Sequence, residues 1–331
     1  MKIQSHTNKP GNACDWSQRQ SKRFLPIIVV AAGLLLGFDS VIPIAAAGGA
    51  DLCRQTAKAL SSSCKAGAKS DYSLALAKCA NLADPEARKA CAEQAKADLK
   101  DALQECKDQL EGRLADCERL GAAAYDPVIV PSNFVATITN PYLPMTPGTT
   151  FTYVGQTAEG VETNVVFVTH NTKVILGVTC IEVHDTVTLN GALTEDTLDW
   201  FAQDRQSNVW YFGENTHELD GNEITNIDGS FKAGVDGAKP GIVMEANPQV
   251  GDFYRQEFAL GEAEDMAEVV ALGQSATVPF GTFNNCLKIR ETTPLTLDDI
   301  ENKFYAPGVG FVLGVDEMTG DRSELIQITT E

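Results

Sequence analysis

The chain has 331 residues, with 26 Lys and Arg against 45 Asp and Glu, a formal net charge of −19, and nine cysteines. So acidic a chain is a poor partner for nucleic acid or anionic lipid, both polyanions that bind by neutralisation with Lys and Arg. The charge is also unevenly placed: residues 51–120 hold 12 basic and 12 acidic groups, whereas residues 121–331 hold 9 and 31, which predicts two regions with different surface physics.

Residues 1–47 read as a signal peptide. A stretch ending in Arg19, Lys22 and Arg23 precedes an apolar run from Leu25 to Phe38, and the small residues AAAGGA follow at 45–50. The apolar run is about 14 residues, short of the roughly 20 that span a bilayer, so no stable membrane span is expected. The sequence ADLC before Cys53 lacks the small residues that precede a lipidated cysteine. Periplasmic or extracellular location is the expectation, and eight cysteines remain beyond the leader, an even number that points to disulfides.

Residues 48–121 are expected to form a Cys-rich helical hairpin. Leu52–Leu82 and Pro85–Leu120 are rich in Ala, Leu, Lys, Glu and Gln, all strong helix formers, and Asp84-Pro85 supplies a helix N-cap and first position. Three cysteine pairs share Pro85 as their midpoint: Cys53 with Cys117, Cys64 with Cys106, and Cys79 with Cys91. In an antiparallel hairpin turning near Asp84 equal helical rises bring each cysteine to its mirror partner, which predicts these three disulfides among 15 connectivities. The close approach that a disulfide demands needs small neighbours, and Ala57, Ala68, Ala75, Ala92, Ala95 and Ala102 supply them. C-x-x-C, C-x-x-C-H and closely spaced Cys/His pairs are absent, so a staple is favoured over redox, haem or zinc chemistry. A rigid spacer or docking arm is a further use for such a ladder.

Residues 122–133 read as a Pro-containing linker, and residues 134–331 as an acidic antiparallel β domain. Runs such as TFTYVG (150–155), NVVFVTH (164–170), VTCIEVHDTVTL (178–189), TLDWFAQD (197–204), NVWYFGE (208–214), DFYRQEF (252–258), AEVVALG (267–273), CLKIRET (286–292) and NKFYAPGVGFVLGV (302–315) alternate with turn residues. Asp220-Gly221 and Pro307-Gly308 mark hairpin turns. Cys180 and Cys286 are expected to bond to each other and tie an early strand to a late one. The fold class is thus α+β in separate regions: a disulfide-laddered hairpin, then a curved sheet, half-barrel or barrel.

The runs DWFAQDRQSNVWYFGE, VPFGTFNNCLKI and FYAPGVGFVLGV, within about residues 130–331, resemble a family of uncharacterised exported bacterial proteins built from curved antiparallel sheets, and more remotely the lipoprotein-carrier half-barrels. The shared motifs are turn and core residues, so the resemblance implies a fold and no active site. A half-barrel would offer a concave face for an acyl chain or other apolar ligand.

Catalytic signals are thin. His184 and Asp185 are strand neighbours and point to opposite faces, so they cannot pair with each other. No G-x-S-x-G, H-x-H or H-E-x-x-H pattern recruits His170, His184 or His217. Carboxylate pairs such as Glu195-Asp196 and Asp298-Asp299 fit a solvated acidic surface. Trp200, Trp210, Tyr211 and Phe212 are the candidate ligand contacts, with core packing as the other account of the same aromatics. No cofactor is expected; calcium suits an acidic exported chain, although no stretch supplies its ligand loop. The leading expectation is a non-enzymatic envelope protein binding an apolar small molecule or a protein partner, with a secreted hydrolase as the alternative.

Overall fold

The computed structural model describes residues 50–331, and the expected signal peptide lies outside them. Helix α1 (Leu52–Ala80) and helix α2 (Pro85–Leu120) are both capped by aspartates: Asp51 accepts from the Arg54 amide, and Asp84 from the Ala87 amide at 2.7 Å. The cysteine ladder forms as the midpoints require. Cys53–Cys117, Cys64–Cys106 and Cys79–Cys91 are bonded, with Cα atoms 5.7, 5.7 and 5.5 Å apart. Ala57, Ser61 and Ala95 are buried between the arms, and their small side chains permit the approach. Little else in the first 55 residues of the hairpin is buried, so the disulfides substitute for a core.

Sixteen strands follow: β1 (Phe134–Val135), β2 (Thr149–Gln156), β3 (Val161–Ile175), β4 (Val178–Leu189), β5 (Ala192–Asp204), β6 (Val209–Asp220), β7 (Glu223–Asn226), β8 (Phe231–Lys232), β9 (Lys239–Met244), β10 (Phe253–Arg255), β11 (Glu257–Phe258), β12 (Met266–Val278), β13 (Gly281–Thr292), β14 (Ile300–Ala306), β15 (Gly310–Asp316) and β16 (Arg322–Thr330). All pairings are antiparallel, and the order β10-β12-β13-β14-β15-β16-β2-β3-β4-β5-β6-β9-β11 makes a nearly closed barrel. Two features bring its ends together. The final strand β16 pairs with the early β2, and the run Phe253–Phe258 pairs with β12 through its first half and with β9 through its second.

That junction depends on Gly241. A Cβ there would lie 2.3 Å from the Gln256 carbonyl carbon and 2.6 Å from the Arg255 oxygen, both backbone atoms that cannot swing away. Gly241→Ala is therefore expected to lower the stability of the barrel by about 1–3 kcal/mol or more, read as a fall in urea midpoint.

The expected Cys180–Cys286 bond does not form; both are free, buried thiols. Cys180 packs in a cluster with Val178, Trp200, Ala202 and Phe212, whereas Cys286 on β13 packs in the other, larger hydrophobic cluster. Strands β14, β15, β16, β2 and β3 separate them in the sheet. Burial pushes the Cys180 thiol up to about 12, which keeps it protonated and unreactive.

Asp51–Glu331 belong to one compact unit. The connector after α2 is held against the barrel: Tyr125 donates to the Pro240 carbonyl at 2.8 Å and packs on Phe258, and Asp126 pairs with Lys239. The C-terminal third of α2 is docked as well. Arg113 makes a two-toothed ion pair with Glu264, and Arg119 makes another with Glu268 while lying 3.7 Å over the Phe253 ring.

Candidate functional site

The interior of the barrel holds a cavity lined by residues of the strands and of the segment before β2. Its chemistry follows from strand parity. Successive inward residues read Ile181, Val183, Asp185 on β4, and Phe201, Asp199, Thr197, Glu195 on the antiparallel β5, with Ile181 opposite Phe201 and Val183 opposite Asp199. On β3 the inward series is Val168, Val166, Asn164, and on β13 it is Leu287, Ile289, Glu291 beside Tyr305, Lys303, Glu301 on β14. Because neighbouring strands alternate in direction, all these series run the same way along the barrel axis. Carboxylates become more frequent toward one end, but they overlap with apolar residues: Val183 faces Asp199 and Val166 faces Asp185 across the ladder.

The apolar end lies under residues 136–148, from which Leu143, Pro144 and Met145 join Phe151, Phe311 and Val309 in the cavity wall. This segment is fastened by buried Asn140, which donates to the Ser207 and Glu245 carbonyls, while the Gln203 side chain accepts from the Thr139 and Asn140 amides at 2.7 and 2.8 Å.

Asp185, Asp199, Glu257, Asp265 and Glu291 line the wall together with Lys303, among the described residues. The Tyr211 hydroxyl hydrogen-bonds Glu214 at 2.8 Å and also Asp199, and Asn164 donates to Asp185 at 2.6 Å. Gln256 donates to Glu291 at 2.8 Å. Burial works against the charged Lys303 ammonium, but Glu291 and Glu301 outweigh it and hold its pKa above the ordinary lysine value. Asp185 is pushed well up by burial and then by Asp199 and Glu195.

The four aromatics singled out in the sequence divide between two faces. Tyr211 lines the lumen, stacked on Phe201 with ring centres 4.7 Å apart. Trp200 and Phe212 are buried in the outer cluster beside Cys180, and Trp210 packs against it. Trp200 donates to Glu182 and lies under the Lys173 ammonium, Trp210 donates to Asp204 at 2.9 Å, and Phe134 packs edge-on against Phe212. A bulge explains how Tyr211 and Glu214 both face inward: Trp200 pairs with Gly213 and Phe201 with Tyr211, so Phe212 is the extra residue. Gly213 sits at φ +143, where a Cβ would meet the Phe231 carbonyl oxygen at 2.3 Å. The Phe-Gly pair within NVWYFGE was the available signal for this bulge.

The lumen residues that sequence reading did not single out are the carboxylates and Lys303. They stand at alternate positions in runs such as VHDTV and NKFY, where a polar residue ordinarily marks the solvent face.

The histidines lie elsewhere. His184 bonds Asp196 at 2.7 Å on the outer face, both groups being about two-fifths exposed, and no serine or cysteine hydrogen-bonds its ring among the described residues. His170 meets Glu331, and His217 stands opposite Asp196 across β5 and β6. Among the described residues no group of three or more His, Cys, Asp or Glu is arranged to hold a metal ion. Nor is any described helix long and apolar enough to cross a membrane.

Besides Asp185, several carboxylic acids titrate high in the folded protein, Asp116, Glu245 and Glu301 among them. Burial leads in each: Asp116 rises to about 6 with Glu264 adding, Glu245 to about 7 with Asp252 adding, and Glu301 to about 7 with Glu291 adding while Lys303 opposes. Each folded pKa exceeds the unfolded one, so the native state holds protons that the unfolded chain has already released between about pH 4.5 and 7. Stability is therefore expected to be greatest below that window and to fall as pH rises through it. Urea midpoints measured from pH 5 to 8 check this; a rise over that range would contradict it.

No family model matches the chain, and no curated protein matches it. One solved structure, the crystal structure of "a putative lipoprotein from Parabacteroides distasonis ATCC 8503", aligns over 57% of this chain and 98% of its own, with a TM-score of 0.32 and 15% identity. A likeness that slight carries no inference about fold or function.

Proposed function

We propose that the protein is an exported, non-enzymatic binding protein of the periplasm or extracellular space that holds a small amphiphilic ligand in its barrel lumen. The supporting observation is the cavity itself, walled by Phe151, Val166, Val168, Val183 and Phe201 together with the acids Asp185 and Asp199. Three disulfides support an oxidising compartment. The laddered hairpin serves as a stiff arm, fixed to the barrel at its base by Arg113 and Arg119. A protein partner would meet that arm or the barrel's outer face.

Native mass spectrometry of the protein from its own host, set against its denatured mass, tests the reading. A non-covalent excess of lipid or metabolite size is expected, and filling the lumen with Val183→Trp should abolish it. An excess that survives in a folded Val183→Trp protein would place the ligand elsewhere. The hydrolase reading rests on the His184–Asp196 pair. Turnover of ester or glycoside substrates, lost in His184→Ala, would replace the binding reading with that one.

A further inference from the structure

We infer that the lumen takes an uncharged amphiphile, an apolar chain carrying a hydroxyl, and discriminates against the corresponding ammonium and carboxylate. This rests on the lumen being a ligand site and adds the chemical class of the ligand.

The charged groups of the wall are already engaged with the protein. Lys303 stands 2.5 Å from Glu291 and 3.4 Å from Glu301, and Gln256 donates to Glu291 at 2.8 Å. Asp265 adds to the field that holds Lys303 charged. The Tyr211 hydroxyl is within hydrogen-bond distance of both Asp199 and Glu214. It has one proton to give, so one of those two contacts needs a proton on the carboxyl. Asn164 donates to Asp185 at 2.6 Å, while burial, Asp199 and Glu195 push Asp185 toward its protonated form. Glu257, 1% exposed, is likewise partnered within the protein.

An ion entering this wall gives up its hydration, at an effective cost of several kcal/mol, and must draw partners from a network that already uses them. A carboxylate also meets like charge. An ammonium brings three donors and no acceptor. To seat it, the wall would have to ionise an acid that burial keeps protonated, or release Tyr211, Gln256 or Lys303 from its acceptor.

A hydroxyl makes no such demand, because it brings one donor and also accepts. Asn164 is 2% exposed and shares the inward face of β3 with the cavity-lining Val166 and Val168, and its Oδ1 has no hydrogen-bond partner. A buried acceptor left unmade costs about 1–3 kcal/mol, so a single donor arriving beside it is favoured. A protonated Asp185, bonded to the same Asn164, offers a donor in return. Val183 stands opposite Asp199 and Val166 opposite Asp185, so the polar atom of the ligand sits within an apolar wall. That setting suits one small uncharged group better than an ionic head that carries water with it.

The full exported chain is titrated calorimetrically at pH 7 with decanol, decylamine and decanoate, each below its solubility or micellar limit. Salt at about 0.5 M screens adsorption of the amine to the acidic exterior. Decanol is expected to bind at least about 10-fold more tightly than either ion, well within the several kcal/mol that stripping an ion of water costs. Val183→Trp should remove decanol binding, and Asn164→Leu should weaken it by about 5-fold or more, the worth of one hydrogen bond. If decylamine or decanoate binds as tightly as decanol, the uncharged class is wrong while the lumen remains a ligand site. Unchanged decanol affinity in Asn164→Leu would take the hydroxyl away from Asn164 and overturn its placement. If none of the three binds, the lumen reading itself fails and the inference with it. Decanol binding that survives in a folded Val183→Trp protein would put the ligand outside the lumen and overturn both.

Discussion

Arg113→Ala is expected to destabilise the protein by about 3–5 kcal/mol, the cost of stranding a buried charge. Arg113 and Glu264 are 6% and 1% exposed, and the guanidinium grips the carboxylate through Nε at 2.9 Å and Nη2 at 2.7 Å. Without Arg113, Glu264 would retain the Gly261 amide at 2.7 Å and sit close to the half-buried acid Asp116. The environment cannot rearrange to admit water easily, because α2 lies hard against the loop after β13: a Cβ on Gly112 would fall 3.0 Å from the Pro294 Cα. Glu264→Ala should cost a similar amount, since it strands the guanidinium instead. The double change Arg113→Met with Glu264→Met should recover most of the loss, because an apolar pair of similar volume removes both desolvation penalties. Urea denaturation of the four proteins forms the cycle. A single-variant loss below about 1 kcal/mol would show that the pair is not what secures the arm.

This contact also marks where sequence reading stops. The ladder was legible because a helix has a fixed rise, and three cysteine pairs sharing one midpoint specify both turn and register. The strands were legible for a similar reason: VTCIEVHDTVTL coincides with β4, and Pro307-Gly308 turns β14 into β15 with Gly308 at φ +77. Partners across the molecule carry no such ruler. Arg113 and Glu264 are 151 residues apart, and nothing local distinguishes either from the surface charges around it. Period-two alternation likewise separates two faces of a strand without saying which is the lumen. Asp185 and Lys303 stood at inward positions but, being charged, looked outward. Cys180 and Cys286 failed as a pair for a related reason, since flanking β residues could not reveal that five strands separate them and that each packs in a different cluster.

Full reduction is expected to melt most of the laddered hairpin and leave the barrel folded. The chain-entropy relation assigns about 4, 4 and 3 kcal/mol to loops of 64, 42 and 12 residues, for Cys53–Cys117, Cys64–Cys106 and Cys79–Cys91 in turn. These values do not simply add, because each inner bond shortens the loop that the next one closes. Even so, the arms have little with which to replace them. Between Asp51 and Cys106 only Ala57, Ser61, Cys79, Ala95 and Cys106 are buried, and long helices without an apolar interface are marginal in water. The base of α2 has Arg113 and Arg119 to keep it on the barrel, so the residual helix should be that segment. The barrel contains no disulfide; its two thiols are free and buried, and reductant has nothing in it to cleave. Circular dichroism at 222 nm should therefore lose most of its helical signal on reduction, while the fluorescence of Trp200 and Trp210, packed in the outer cluster, stays unchanged. Replacing all six ladder cysteines by serine should reproduce the result without reductant. Retention of the helical signal in that variant would mean that the hairpin holds itself together through contacts other than the ladder, and loss of the tryptophan signal with it would mean that the barrel depends on the arm.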